Sequence, residues 1–459
     1  MQKARVFFKP NLDQLVGTLL LVVIGIYIAA YGFMQLGGFA FESFGLGYMI
    51  IVVPIWLIDG LKSSFEALLP SEYRHATEDT SKITAIVACK DGEGVLGQTL
   101  QSLKRKLPAQ QIIVASNGST DRTCEIAREY GVYYMNIEQP LGKVRAINRA
   151  LPFVKTPYVL ILDDDTLLSG ASLPTGLLDE GYDAVAFRVF VKRTTWVSCL
   201  QMHEYRKSSD IGKRAHNKQA SVENISGAIG LFKLQELKRQ IKLHTGEFSG
   251  EDLQRTLLIH LASNTKGVVL ARSIVITVAP ATVVQLFRQR IFGWYPGLYA
   301  NFGNYYRLVR NKKAPRALRM DAFYNIVFVM FMDGIRLLSL PIMIFYPWYF
   351  AVMYIAYTAL EFVQYVRSGR VEPLWVILVY PFYGIFGLLT RVIAFAVFVY
   401  RRLAVRLEKL PYLDDYRQAR PRTKLASIMI TVLFFSAFLV LNVIFNYSVL
   451  FTNFHLAAR

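Results

Sequence analysis

Residues 158–166 read Tyr-Val-Leu-Ile-Leu-Asp-Asp-Asp-Thr. A short apolar run that stops abruptly at charge predicts a β-strand buried on both faces, whose carboxyl end delivers Asp163, Asp164 and Asp165 to one edge of a sheet. In an extended chain Asp163 and Asp165 point to one side and Asp164 to the other. Adjacent carboxylates repel unless a cation or hydrogen-bond donors compensate, and hard oxygen ligands of this kind suit Mg²⁺ or Mn²⁺ shared with phosphate oxygens. The plainer alternative is an acidic turn or a helix cap.

Three further apolar runs precede this one, at 82–88 (KITAIVA), 111–115 (QIIVA) and 132–135, each followed by a polar loop and a helical pattern. Strands alternating with helices of this length make βαβ units and a parallel sheet, which binds ligands beyond the carboxyl ends of its strands. The loops to read for chemistry are therefore CKDGE with Asp91, SNGSTD with Asn117 and Asp121, and DDDT. SNGSTD also reads as a turn with Ser119 or Asp121 capping the next helix. Lys143, after Gly142, opens a helix, where a cation opposes the helix dipole unless an anion sits there too; a phosphate role and a solvated lysine are the two readings. Further on, Gly227 in Ser226-Gly227-Ala228 permits close backbone approach to a ligand, or simply a turn. Ser249-Gly250-Glu251-Asp252 precedes the helical pattern LQRTLLIHLA, as a helix cap also would.

From about residue 82 to 297 this series of motifs resembles the membrane-integrated, processive family 2 glycosyltransferases, the group of hyaluronan, cellulose, chitin and poly-N-acetylglucosamine synthases. The resemblance implies an α/β fold: a GT-A-type nucleotide-sugar-binding domain, with a mixed, mostly parallel sheet, inserted between transmembrane helices. It implies that Asp163 and Asp165 bind the metal and the donor diphosphate, that Asp91, Asn117 and Asp121 line the nucleotide site, and that Lys143 approaches phosphate. Ser226 and Gly227 fall in the stretch lining the acceptor sugar. Asp252, beside Glu251, takes the position of the general base of an inverting transfer. The family's Gln-X-X-Arg-Trp motif is matched irregularly by Gln289, Arg290 and Trp294, with one extra residue and Gly293 before the Trp; Arg288 or Arg290 stands in for the missing charge. Asn117, where the family has Asp, loosens the match to uracil.

The implied reaction is metal-dependent polymerisation of a nucleotide sugar, a UDP-sugar first, onto a glycan acceptor, with the polymer passing across the bilayer. The runner-up is transfer of a single sugar to a lipid carrier or short glycan, and a non-enzymatic channel is the third reading.

The rest of the chain supplies the membrane. Its 459 residues are 53% hydrophobic, concentrated at the two ends. Stretches 14–34 and 46–68 approach the roughly 20 apolar residues a span requires, and the first reads as a retained span rather than a signal peptide. Stretches 323–347, 348–366, 374–400 and 426–450 give up to four more. The expected organisation is a transmembrane hairpin over 1–69, a cytoplasmic catalytic domain over 70–282, two short amphipathic interface helices over 283–320 broken at Pro296-Gly297, and a transmembrane region over 321–459. Asp333 and Arg336 are spaced to pair within it, on a polar path or at the interface.

Net charge is +19, but residues 283–320 hold basic groups interleaved with aromatics and no acid, which suits anionic headgroups rather than nucleic acid. Three cysteines, odd in number, and Lys3, Arg5 and Lys9 ahead of the first span favour a multi-pass plasma (inner) membrane protein with its catalytic domain in the cytosol. Six spans would put basic segment 401–424 outside, against the positive-inside rule. Either 323–366 holds one span, or 374–400, with Pro381, Gly384 and Gly387, is a re-entrant pair. The six histidines show no metal-ligand spacing.

Overall fold

The computed structural model describes residues 45–246, 250–345, 347–369, 371–410 and 413–457. The stretch 14–34 and the residue Ser249 lie outside these.

The apolar runs become the centre of a seven-stranded sheet: β1 (Ile83–Cys89), β2 (Ile112–Asn117), β3 (Tyr133–Ile137), β4 (Tyr158–Asp163), β5 (Ala184–Val191), β6 (Ile229–Lys233) and β7 (Val268–Thr277), in the order β3-β2-β1-β4-β6-β5-β7. β1, β2 and the apolar part of β4 are buried, as strands covered on both faces must be. Successive side chains alternate between two cores: Ala85, Val87 and Cys89 pack with Leu96, Leu100 and Leu103, while Ile86 and Ala88 pack with Ala146, Ile147 and Ala150.

β6 runs antiparallel to both its neighbours, and the other pairings are parallel. This reversal matters for the site. Because β6 starts where β4 ends, with Leu162 opposite Ile229, the residues leading into β6 lie beside the acidic run, and the Asp163 N–H donates to the Ala228 carbonyl at 3.0 Å.

Among the described residues three helical stretches are long and apolar enough to cross a membrane: Arg316–Leu340, Leu374–Leu407 and Pro421–Val440. Residues 374–407 form one continuous helix through Pro381, which overturns the re-entrant alternative. Helix Pro347–Arg367 is not among them; it carries the polar Glu361 and Gln364, which are buried against other protein elements. Glu361 accepts from His203 at 3.1 Å and pairs with Lys207 at 2.6 Å, and Arg206 pairs with Glu372 at 2.6 Å, so helix Trp196–Arg206 is clamped to the C-terminal helices. A second clamp joins helix Gly45–Leu68 to the rest: Asp321 pairs with Lys62 at 3.2 Å and with His216 at 2.9 Å. Asp333 pairs with Arg336 at 2.9 Å, on one helical face.

The interface segment departs from expectation. Helix Val283–Gln289 continues through a π-helical turn, Arg290–Trp294, into helix Tyr295–Ala300, and the chain breaks at Asn301 rather than at Pro296-Gly297. Pro296 follows directly on the π-helical turn, where the i→i−4 hydrogen-bond ladder is already interrupted.

Candidate active site

The acidic run leaves β4 as a turn, closed by the Thr166 N–H on the Asp163 carbonyl at 3.3 Å, so the extended-chain alternation applies only up to Asp163. Asp163 and Asp165 nevertheless both line one open cleft of about 1370 Å³, while Asp164 turns back and accepts from the Cys89 thiol at 2.8 Å. Asp165 accepts from the Thr277 hydroxyl at 3.0 Å, at the carboxyl end of β7.

Lys143 is the hub. Gly142 precedes it at φ 88°, a left-handed conformation that glycine adopts without strain, and this turn sets the lysine at the head of helix Lys143–Ala150. Its ammonium lies 2.5 Å from Asp163 and 3.0 Å from Glu251, and donates to the Gly227 carbonyl at 3.1 Å. The Gly227 N–H in turn donates to Asp252 at 2.8 Å, and the Leu253 N–H donates to the other Asp252 oxygen at 2.8 Å. Acidic run, Lys143, Gly227 and Asp252 thus form one connected network.

Gly250 is required by contact: a Cβ there would stand 2.8 Å from the Cα of Gly297. The two glycines let helix Glu251–His260 sit directly against Tyr295–Ala300, which brings Asp252 and Trp294 to the same cleft. The Arg290 guanidinium lies 3.7 Å from the Trp294 ring centroid and pairs with Glu204 at 2.5 Å.

Charge is unevenly balanced. Burial pushes Asp165 up to about 6, helped by the charge of Asp163. Burial likewise raises Asp163, although Lys143 opposes it. Asp252 is pushed up to about 6 by burial and by neighbouring Glu251. Burial would raise Glu251 too, but Lys143, Arg255 and a backbone hydrogen bond together hold that carboxyl below its ordinary value. Among the described residues Asp165 accepts from the Thr277 and Thr166 hydroxyls. The oxygen-only donor set of Asp163, Asp165 and Thr277 fits a hard divalent ion.

Of the residues singled out in the sequence, the structure brings Lys143, Asp163, Asp165, Ser226, Gly227, Glu251, Asp252, Gln289 and Trp294 to the cleft. It does not bring Asp91, Asn117, Asp121 or Arg290 to its lining. Asp91 accepts from the Thr120 N–H at 2.8 Å, and Asp121 accepts from the N–H groups of Glu93 at 2.8 Å and Thr123 at 3.0 Å. The Asn117 amide oxygen is taken by the Leu141 N–H at 2.7 Å. These three side chains tie the loops together. Sequence reading missed Thr277, Glu204, Lys213 and Asn224, all at the cleft. Thr277 was within reach of the strand-end rule applied to β7; the other three carry no motif.

Residues 84–237 match the family described as Glycosyl transferase family 2. This stretch is a family 2 glycosyltransferase domain. Over 288 residues the chain is 23% identical to the poly-β-1,6-N-acetyl-D-glucosamine synthase of Staphylococcus epidermidis, a match covering 59% of this chain and 69% of that one. The synthase of the same name from Staphylococcus aureus strain COL is 24% identical over 212 residues, 42% of this chain and 50% of that one. Among solved structures, the mannosyltransferase PcManGT from Pyrobaculum calidifontis, in complex with GDP-Man and Mn²⁺, aligns with a TM-score of 0.49 at 15% identity, covering 77% of this chain and 99% of that one. The chain thus carries a family 2 glycosyltransferase domain over residues 84–237 and is similar to poly-N-acetylglucosamine synthases, with a mixed, mostly parallel seven-stranded sheet and apolar helices behind it.

Proposed function

We propose that this chain polymerises a nucleotide sugar, a UDP-sugar, into a polysaccharide at the cytoplasmic face of the plasma membrane and passes the product through its own membrane helices. The observation that carries the reading is the Asp163–Lys143–Gly227–Asp252 network, which ties a diphosphate-binding acidic run to a carboxylate on the same cleft. Asp252 takes the proton from an acceptor hydroxyl. That oxygen attacks the anomeric carbon with inversion, and the bond to the diphosphate breaks with its electron pair leaving on the nucleoside diphosphate. The two N–H groups on Asp252 fix its carboxylate without neutralising it.

Asp163 and Asp165 would hold Mg²⁺ or Mn²⁺, which supplies charge neutralisation for the departing diphosphate. Lys143 holds Asp163 and Glu251 together at the head of its helix, and Trp294 offers an aromatic wall to the acceptor sugar. Passage of product is supported by a second cavity of about 160 Å³ among the membrane helices. It is lined by Trp56, Tyr357, Tyr380 and Tyr383 and shares Glu204, Tyr295 and Arg391 with the cleft.

Transfer of a single sugar to a lipid carrier or short glycan is favoured by one observation: the Trp294 ring already carries the Arg290 guanidinium on it. Purified full-length protein, given Mg²⁺ or Mn²⁺ and a panel of nucleotide sugars beginning with UDP-N-acetylglucosamine, should release nucleoside diphosphate and make long polymer. Release with a product one sugar longer selects the second reading, and no release from any donor overturns both.

A further inference from the structure

The cleft holds a cation that neither the donor site nor the clamps use. Lys213 ends the π-helical segment Lys207–Lys213, lines the cleft, and makes no ion pair or hydrogen bond among the described residues. The other lysine of the cleft, Lys143, is held by two carboxylates and a carbonyl. The two belong to opposite halves of the sheet: helix Lys143–Ala150 packs on β1 and β2, whereas Lys207–Lys213 packs on β5 and on helix Gly45–Leu68. The charged group that acts on Lys213 is Asp252, and burial pushes the ammonium down to about 8, as expected of a lysine short of a counter-ion. The cleft also offers the Ser208 hydroxyl, on the same π-helical segment as Lys213, and the Asn224 side-chain oxygen, which is buried and unpartnered among the described residues. A compact ammonium beside a hydroxyl suits an oxyanion of phosphate type, and a lone amide oxygen suits a sugar hydroxyl.

We infer that Lys213 and Ser208 form an oxyanion site on the acceptor half of the cleft, so that the acceptor that primes the chain carries a phosphate close to its attacking hydroxyl, while Asn224 takes a hydroxyl hydrogen. The inference rests on the reading of Asp252 as the base that faces the acceptor. The phosphate comes either from a lipid embedded in the bilayer, toward which segment 207–213 packs, or from a soluble phosphorylated glycan.

The test uses the full chain in lipid nanodiscs, titrated with inorganic phosphate, decyl phosphate and neutral decyl glucoside. Phosphate probes should bind the wild type and Lys213→Arg, and at least tenfold more weakly to Lys213→Met. Decyl glucoside binding and UDP binding with Mg²⁺ should be unchanged in all three, because Lys213 is outside the donor half. Binding of decyl phosphate alone points to a bilayer source, binding of both phosphates to a soluble one, and either supports the site. Equal binding of phosphate probes to wild type and Lys213→Met, or no binding of either, overturns it. On the unmutated protein, saturating decyl phosphate should slow acetylation of Lys213 severalfold by peptide mass mapping, and absence of protection also overturns it. Nucleoside diphosphate release from donors is scored separately. Its failure alongside intact, Lys213-dependent phosphate binding would sink the transferase reading and leave the oxyanion site standing.

Discussion

At the scale of single residues, the chemistry concentrates in side chains whose surroundings leave them short of a partner. Asp252, raised to about 6, must be deprotonated to accept a proton, so transfer should fall as pH drops through about 6 and level off above it. A pH profile of the transfer rate at saturating donor checks this; a rate flat down to pH 5 would count against Asp252 as base. Lys143→Met removes the cation that Asp163 and Glu251 share. Leaving the buried Glu251 unpaired costs about 3–5 kcal/mol in comparable cases, so the variant should melt well below the wild type and bind UDP poorly. The acidic run, Lys143 and Asp252 were legible in the sequence because each stands at a strand end or a helix start, where backbone geometry aims side chains at a ligand. Asp91, Asn117 and Asp121 stand in equivalent places but are consumed by N–H groups of neighbouring loops. Which carboxylate a loop will consume depends on turn geometry that residue identity does not specify.

At the scale of elements, two departures from local expectation shape the cleft. The antiparallel β6 brings Ser226-Gly227-Ala228 beside the acidic run, a pairing that no local pattern encodes because its partner lies far along the chain. The interface helix runs on through Pro296 by way of a π-helical turn, so Gly297 meets Gly250 where a break was expected. Gly250→Ala would force the two helices apart. Overpacking of this kind costs about 1–3 kcal/mol, and because the shift moves Asp252 relative to Trp294, transfer should fall more than the melting temperature suggests. Comparing kcat and Tm for Gly250→Ala with those for Gly303→Ala, where a Cβ meets open space, separates the two effects.

At the scale of the whole molecule, buried ion pairs fasten a water-facing α/β domain to apolar helices. Buried Glu361 holds both buried His203 and half-buried Lys207, so Glu361→Ala should destabilise the docked arrangement by about 3–5 kcal/mol, read as earlier thermal unfolding in detergent. The two-layer division was readable from hydropathy, but the number of crossings was not: Glu361 and Gln364 look like interruptions in an apolar stretch until their buried partners are seen.

The central claim is that one cleft both binds the donor through its acidic run and deprotonates the acceptor through Asp252. It is tested most directly by donor binding and nucleoside diphosphate release measured side by side for the wild type, Asp252→Asn and the double substitution Asp163→Asn with Asp165→Asn. Asp252→Asn should bind UDP and Mn²⁺ as the wild type does while release falls by a factor of about 10²–10⁴, and the double variant should lose metal-dependent UDP binding itself. Undiminished release from Asp252→Asn, or undiminished metal-dependent binding in the double variant, would contradict the claim.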